Sequence, residues 1–268
     1  MGTRAKIEEI VDLSVYPIDR PQSAGWNELV AKCQQDLQRD GMFNLEGFLL
    51  PGVAEQTAAE ISPLMASASF EHRRQHNIYF NPEIPGLAAD HPALQLCETT
   101  NHTLCADQVD GSAVMAVYHY PQFAEFLAAT MQKDHLYTMD DPLACANVMA
   151  YRDGEALNWH FDRSEFTTTL LLQKPEQGGA FQYRSDLRTD DDPNYDGVAA
   201  LLEGRDDQLR TLDLEPGTLN VFRGKNTAHR VTTVEGGRER VIAVFSYYEK
   251  PGVTFSEAER MGFYGRAA

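Results

Sequence analysis

The stretch of sequence that decides the fold reads LACANVMAYRDGEALNWHFDRSEFTTTLLLQ and covers residues 143–173. Its apolar runs are short, and the turn-forming pair Asp153-Gly154 separates two of them. The same texture continues in later runs, namely AFQYR (180–184), LRTLDLE (209–215), TLNVFRG (218–224), HRVTTVE (229–235) and ERVIAVFSYY (239–248). Short strands punctuated by Gly and Pro turns are typical of an antiparallel sandwich or a jelly-roll barrel.

The region before this stretch is predicted to be mixed, with helices that flank one or two strands. Apolar residues at helical spacing predict a helix over 26–38, which Gly41 would end. A strand is predicted over 42–50, and Pro51 is predicted to open a second helix that runs to about residue 66. A third helix is expected over 121–132, because the missing N–H of Pro costs little in the first turn.

No repeat, low-complexity tract or Pro/Gly/Ser linker divides the chain, so a single domain over 1–268 is expected. In this interpretation residues 1–142 flank the core, 143–250 form the β core and 251–268 form a C-terminal tail. The acidic segment 186–197 is expected to be a surface loop. The sequence thus predicts a mainly β protein with flanking helices.

Composition limits the classes of partner. The 268 residues carry 23 Lys and Arg against 40 Asp and Glu, a formal net charge of −17. A surface with this much negative charge repels the phosphates of nucleic acids and the head groups of anionic lipids. Neither a nucleic acid nor a membrane is therefore expected as a partner. No apolar run approaches a membrane helix, no signal-peptide core is found, and the four cysteines form no CxxC pair. These features favour a cytoplasmic protein with reduced thiols.

The segment Trp159-His160-Phe161-Asp162 carries the chemical signal. On a strand, residues two apart point to the same face, so His160 and Asp162 would project together. An imidazole and a carboxylate on one face are two of the three ligands of a 2-His-1-carboxylate facial triad. His229 is the one other histidine in the strand-rich half, which makes it the candidate for the third ligand.

The last predicted strand also carries a charged residue, Arg240, among apolar ones. Arg240, Ile242, Val244 and Ser246 alternate onto one face, so Arg240 would enter the barrel interior. A guanidinium there needs an anionic partner, and a bound carboxylate cosubstrate is one that matches its geometry. The alternative is that Arg238 and Arg240 are exposed residues next to a Gly-Gly turn.

These motifs, in their order, resemble the Fe(II)/2-oxoglutarate-dependent dioxygenase superfamily over residues 143–250. The segments RRQHNIYF (73–80), WHFD and FYGR (263–266) resemble more narrowly the subgroup that hydroxylates or halogenates free amino acids. The superfamily resemblance implies a double-stranded β-helix, a cupin-like jelly roll, in which His160, Asp162 and His229 hold iron. It also implies that Arg240, or in its place Arg238, binds 2-oxoglutarate and that O2 is the oxidant.

The subgroup resemblance extends to the substrate, a small molecule expected to be a free amino acid or derivative. It makes Arg73 or Arg74 a candidate clamp for the substrate carboxylate. Arg163 lies where the halogenases carry an acidic residue that contacts the substrate amine, which argues against lysine. Further candidates for contact with the substrate are Asn77, Trp159, Phe166 and Ser246.

The resemblance also bears on the reaction. In the halogenating relatives Gly or Ala replaces the carboxylate ligand, whereas this chain has Asp162. Hydroxylation, or a related desaturation or cyclisation that releases succinate and CO2, is therefore expected rather than halogenation. Two other classes remain open from the sequence: a cupin-like module that binds metal and a small molecule without turnover, and a zinc hydrolase that uses the same three ligands.

Overall fold

Fifteen β-strands, most of them in two antiparallel sheets, form the centre of the protein in this computed structural model, which describes residues 6–268. The strands in chain order are β1 (Met42–Leu45), β2 (Phe70–His76), β3 (Cys97–Leu104), β4 (Tyr137–Thr138), β5 (Ala146–Tyr151), β6 (Leu157–His160), β7 (Thr167–Gln173), β8 (Gln177–Gly178), β9 (Phe181–Arg184), β10 (Arg210–Leu212), β11 (Leu219–Phe222), β12 (Ala228–Val231), β13 (Val234–Glu235), β14 (Arg240–Phe245) and β15 (Tyr247–Tyr248). The predicted N-terminal region 1–142 begins with five residues that lie outside this described part.

The larger sheet has seven strands in the order β1-β11-β7-β14-β5-β3-β2, and the smaller has the order β10-β9-β12-β6. The pairs β13–β8 and β15–β4 form short two-stranded ribbons. Strands distant in sequence are thus neighbours in space, as the jelly-roll prediction requires. The mainly β, double-stranded β-helix fold is confirmed.

Strand β14 shows how the larger sheet separates two environments. Val241, Ala243 and Phe245 belong to the main hydrophobic core, whereas Arg240 and Ile242 line an internal cavity. The helices are α1 (Ala24–Asp40), α2 (Val53–Ala68), α3 (Ala113–Tyr118), α4 (Pro121–Thr130), α5 (Tyr195–Leu202) and α6 (Glu257–Tyr264). Buried residues of α1 to α4 belong to the main core, α5 packs in a second cluster, and the last residues of α6 reach the cavity. Strands of the smaller sheet line the cavity opposite β14.

The helix boundaries follow from capping groups. The hydroxyl of Ser23 accepts a hydrogen bond from the Trp26 N–H at 3.3 Å and starts α1 before the predicted position. Gly41, with φ +72°, ends it as expected. Helix α2 begins at Val53 after an N-cap glycine, not at Pro51. Helix α4 begins at Pro121, as predicted.

Three sequence-based expectations need correction. The strand predicted over 42–50 ends at Leu45, because the chain turns at Gly47, whose φ is +66°. The acidic segment is a loop only as far as Asn194, whose side chain accepts from the N–H of Gly197 at 3.0 Å and starts α5. The C-terminal tail contains α6, which packs against β2.

The four cysteines are free; Cys33, Cys105 and Cys145 are buried, and Cys97 is partly buried. Among residues 6–268, the helices are all too short or too polar to span a bilayer.

Candidate metal centre and cavity

The smaller sheet brings the two predicted histidines together. His160 is the last residue of β6, and His229 lies directly opposite it in β12, in antiparallel register. Their ring centroids are 4.1 Å apart. Asp162 follows two residues after His160, and its N–H donates to the carbonyl of Gly224 at 3.0 Å. Residues far apart in sequence therefore meet at one point.

The three side chains form a compact set of ligand atoms. His160 Nε2 lies 3.3 Å from Asp162 Oδ1, and His229 Nε2 lies 3.4 Å from Asp162 Oδ2. One potential ligand atom from each residue lies within 4.8 Å of the others, which is compatible with a shared ion. Both histidines are at most 5% exposed.

Hydrogen bonds on the far side of each ring fix the tautomers. His160 Nδ1–H donates to the carbonyl of Asn158 at 2.8 Å, and His229 Nδ1–H donates to that of Thr227 at 3.0 Å. A carbonyl can only accept, so the proton of each neutral ring sits on Nδ1 and the Nε2 lone pair faces the centre. This is the usual way in which proteins orient metal-binding imidazoles.

The surroundings of Asp162 and His229 favour the protonation states that can bind a metal ion, which are a charged carboxylate and a neutral imidazole. Burial alone would raise the pKa of Asp162, but the two imidazoles and the Thr167 hydroxyl outweigh it and hold that pKa well below its usual range. Burial and the neighbouring His160 lower the pKa of His229 to about 4. At neutral pH the cluster therefore offers one carboxylate and a neutral His229 ring.

Two residues hold the carboxylate in place. The hydroxyl of Thr167, the first residue of β7, donates to Asp162 Oδ2 at 2.5 Å. Gly224 packs so closely that a Cβ at this position would lie 2.4 Å from both Asp162 Oδ2 and Thr167 Oγ1. Neither residue was identified from the sequence, although the glycine in FRG (222–224) was visible there.

Arg240 enters the barrel, and Arg238 does not. Arg240 is 3% exposed, and its Nε donates to the carbonyl of Gly179 at 3.0 Å. Its Nη1 has no hydrogen-bond partner within residues 6–268. Burial lowers the pKa of Arg240 to about 10, so it stays charged at neutral pH. Arg238 is exposed. A buried cation with an unpaired N–H group fits a carboxylate ligand.

The metal cluster and Arg240 share one cavity of about 310 Å³. Of the predicted substrate contacts, Arg74 and Arg163 line it. Arg73 points to the other face of β2, where its Nη2 lies 2.6 Å from Glu98 Oε1 at the surface. The structure therefore separates two adjacent arginines that the sequence left equivalent.

The other predicted substrate contacts do not line this cavity. Trp159 alternates with His160 and packs in a cluster with Leu201 and Ala228 behind the site. Phe166 and Asn77 also lie elsewhere: Phe166 borders a separate cleft, and Asn77 bonds the backbone of its own loop. Ser246 lies one residue beyond β14, and its carbonyl accepts from Tyr118.

Several lining residues come from outside the predicted core. Phe263 and Tyr264 of α6 reach the cavity, as do His72 and Phe80. Phe263 stacks on His72 with ring centroids 5.8 Å apart. The motif FYGR was noted for its resemblance, yet nothing in the sequence placed it beside the metal cluster.

The fold of this chain is similar to that of several solved structures, 2OG-Fe(II) oxygenases among them. The solved structures that resemble this chain include AviO1 from Streptomyces viridochromogenes Tue57, with TM-score 0.55, 14% identity and coverage of 83% of this chain and 96% of that one. The epimerase SnoN, in complex with Fe3+, alpha ketoglutarate and nogalamycin RO, has TM-score 0.53, 14% identity and coverage of 82% and 84%. A 2OG-Fe(II) oxygenase family oxidoreductase from Burkholderia pseudomallei has TM-score 0.51, 15% identity and coverage of 84% and 92%.

The chain belongs to the Halogenase D family, whose model matches residues 26–259. No curated protein matches the sequence.

Proposed function

We propose that the protein is an Fe(II)- and 2-oxoglutarate-dependent oxygenase that hydroxylates a free amino acid or a close derivative, or desaturates or cyclises it. The observation that carries this proposal is the convergence of His160, Asp162 and His229 in the cavity that Arg240 also lines. A zinc hydrolase with these ligands would have no use for a buried arginine that has no anionic partner among the described residues 6–268.

In this proposal, His160, Asp162 and His229 would hold a ferrous ion. When bound, the ion together with 2-oxoglutarate and O2 supplies the oxidising chemistry, which converts 2-oxoglutarate to succinate and CO2 and oxidises a substrate C–H bond. The task of the chain is to orient both organic molecules and to exclude water.

Arg240 provides the site for the cosubstrate. Its Nη1 is buried and unpaired, and Gly179 accepts from its Nε at 3.0 Å, so the guanidinium is held with donors to spare. The distal carboxylate of 2-oxoglutarate is the ligand that would satisfy it. Arg238 is too exposed for this role.

The size of the cavity supports a small substrate. About 310 Å³ is at the lower end for ligand sites, and this space must hold the cosubstrate as well. Arg74 is the candidate clamp for the substrate carboxylate, since its Nε is buried without a hydrogen-bond partner within residues 6–268. Its guanidinium lies 4.3 Å from the centre of the Phe80 ring, which holds it by a cation–π contact.

Asp162 favours oxygenation over halogenation despite the name of the family. A halide needs a metal position that the carboxylate would occupy, and the 2.5 Å hydrogen bond from Thr167 holds that carboxylate in place. Gly224 fills the remaining space beside it.

The direct test supplies the purified protein with Fe(II) and 2-oxoglutarate without air, then admits O2 in the presence of chloride and a panel of free amino acids. The expected result is succinate together with a product heavier by one oxygen atom or lighter by two hydrogen atoms, detected by mass spectrometry. A chlorinated product would contradict the oxygenase assignment. No succinate with any amino acid would favour a binding module, and hydrolysis that is independent of O2 would favour a hydrolase.

A further inference from the structure

Apart from the proposed metal ligand Asp162, the Arg and Asp side chains that line the cavity are all positively charged. Arg74, Arg163 and Arg240 line the cavity, and Asp162 is the one acidic side chain that residues 6–268 contribute to its lining. Ferrous ion and 2-oxoglutarate have opposite formal charges of equal size, so they leave the balance of the cavity unchanged. With Asp162 and Arg240 assigned to those two ligands, Arg74 and Arg163 remain for the substrate.

Arg74 is available to an anion. Its Nε is buried without a hydrogen-bond partner among residues 6–268, and its guanidinium lies 4.3 Å from the centre of the Phe80 ring. Burial lowers the pKa of Arg74, and the positive charge of Arg163 lowers it further. Both guanidinium groups line the same cavity, so an anion bound there would be attracted by both.

Arg163 is held at the mouth of the cavity by α6. Its Nη1 lies 3.4 Å from Glu259 Oε1, and its guanidinium lies 5.8 Å from the centre of the Phe263 ring. The other oxygen of Glu259 is used in a capping box, where it accepts from the N–H and hydroxyl of Ser256. Glu259 positions Arg163 but does not itself line the cavity. Because this contact uses only Nη1, most of the five N–H donors of the Arg163 guanidinium remain available to a ligand.

We infer that the substrate is an amino acid whose side chain carries a second anionic group, with the α-carboxylate on Arg74 and the side-chain anion on Arg163. This inference rests on the proposed function and specifies its substrate class. An amino acid with a neutral side chain would leave Arg163 with Glu259 as its anionic partner and would make no charge pair of its own with the guanidinium. Within residues 6–268, Asp162 is the acidic side chain that lines the cavity and it is assigned to the metal, so an amino acid with a cationic side chain would face two guanidinium groups.

The test measures binding without turnover, through the visible absorption band of the anaerobic Fe(II)–2-oxoglutarate complex, which changes when substrate binds beside the metal. The probes are glutamate and aspartate, their neutral isosteres glutamine and asparagine, O-phosphoserine and lysine. Acidic amino acids should bind about tenfold tighter than their neutral isosteres, and lysine should bind weakest. The carboxylate and phosphate probes distinguish the two sources of negative charge.

Two variants locate the effect. Arg163→Glu reverses the charge at an exposed position, which folding should tolerate, and should remove the preference for glutamate over glutamine. Arg74→Gln should weaken binding of every amino acid. The matched control is Arg73→Gln, which changes the neighbouring arginine on the opposite face of β2.

A preference for neutral or cationic amino acids, or an unchanged preference in Arg163→Glu, would overturn the inference. Failure of every acidic probe to perturb an otherwise normal band would also overturn it. If 2-oxoglutarate produces no band at all, the proposed function itself is wrong, so the two failures are distinguishable.

Discussion

The hydroxyl of Thr167 donates to Asp162 Oδ2 at 2.5 Å, across the bend between β6 and β7. The contact fixes the rotation of the carboxylate relative to the two Nε2 atoms. Thr167→Val should therefore weaken Fe(II) binding about 10-fold to 100-fold, the range typical for partners of metal ligands. Anaerobic titration with Fe(II) measures the change in Kd. Thr168→Val, on the opposite face of the same strand, should leave the Kd unchanged, and equal losses in both variants would refute the positioning role.

Arg240 and Arg238 should differ sharply in their effect on the cosubstrate. Arg240→Gln removes a buried cation from the cavity and should raise the Kd of 2-oxoglutarate by about 30-fold or more. Arg238→Gln should have no effect, because its side chain is exposed. The measurement is titration of the anaerobic Fe(II) protein with 2-oxoglutarate. A larger loss in Arg238→Gln would reverse the assignment.

Replacement of the carboxylate ligand should change the reaction. Asp162→Gly should reduce hydroxylated product by about 100-fold or more, since the ion loses its one anionic protein ligand. Product analysis with and without chloride shows whether oxidation is abolished or diverted. Asp186→Gly is a suitable control because Asp186 is partly exposed and its φ of +49° accommodates glycine. Unchanged hydroxylation in Asp162→Gly would exclude this aspartate as a ligand.

Acid should weaken the contact that holds helix α6, which contributes Phe263 and Tyr264 to the cavity wall, through the carboxylate of Asp141. The Asp141 carboxylate has no exposed side-chain surface, and burial alone would raise its pKa. It accepts hydrogen bonds from the N–H groups of Leu143, Phe255 and Ala144 and from Arg260, and together these lower the pKa of Asp141. The folded state thus binds this proton less readily than the unfolded state. The stabilisation is complete above the unfolded value near 3.8 and is lost as the pH falls through the lowered value.

The Asp141→Asn variant tests this link. It should lose about 2–4 kcal/mol of unfolding free energy at pH 7, because buried donors lose a charged acceptor. When the pH is lowered, the free energy of unfolding of the variant should fall by less than that of the parent protein. Urea denaturation at pH 7 and in acid measures both effects. Equal acid sensitivity in the two proteins would show that other carboxylates dominate.

Strand alternation led to the pairing of His160 with Asp162, and His229 followed as the one other histidine of the strand-rich half. The three side chains do lie together, although β6 ends at His160 and Asp162 follows in the bend after the strand. Alternation along the last strand also predicted that Arg240 enters the barrel, and Arg240 is buried whereas Arg238 is exposed.

Strand alternation cannot be used where the chain leaves a strand. Residues 161–166 lie between the end of β6 and the start of β7. The sequence therefore could not show whether the Phe166 side chain faces the cavity. The contribution of Phe263 depends on α6 and on the ion pair of Arg260 with Asp141, partners separated by more than a hundred residues. No local pattern encodes such a contact.

The most direct test of the central claim is an anaerobic Fe(II) titration of the protein and of the double variant His160→Ala/His229→Ala. We expect the protein to bind one Fe(II) per chain and the double variant to bind none. His135→Ala, at an exposed histidine away from the cavity, should bind like the parent. Retention of the ion by the double variant, or failure of the parent to bind it, would contradict the account.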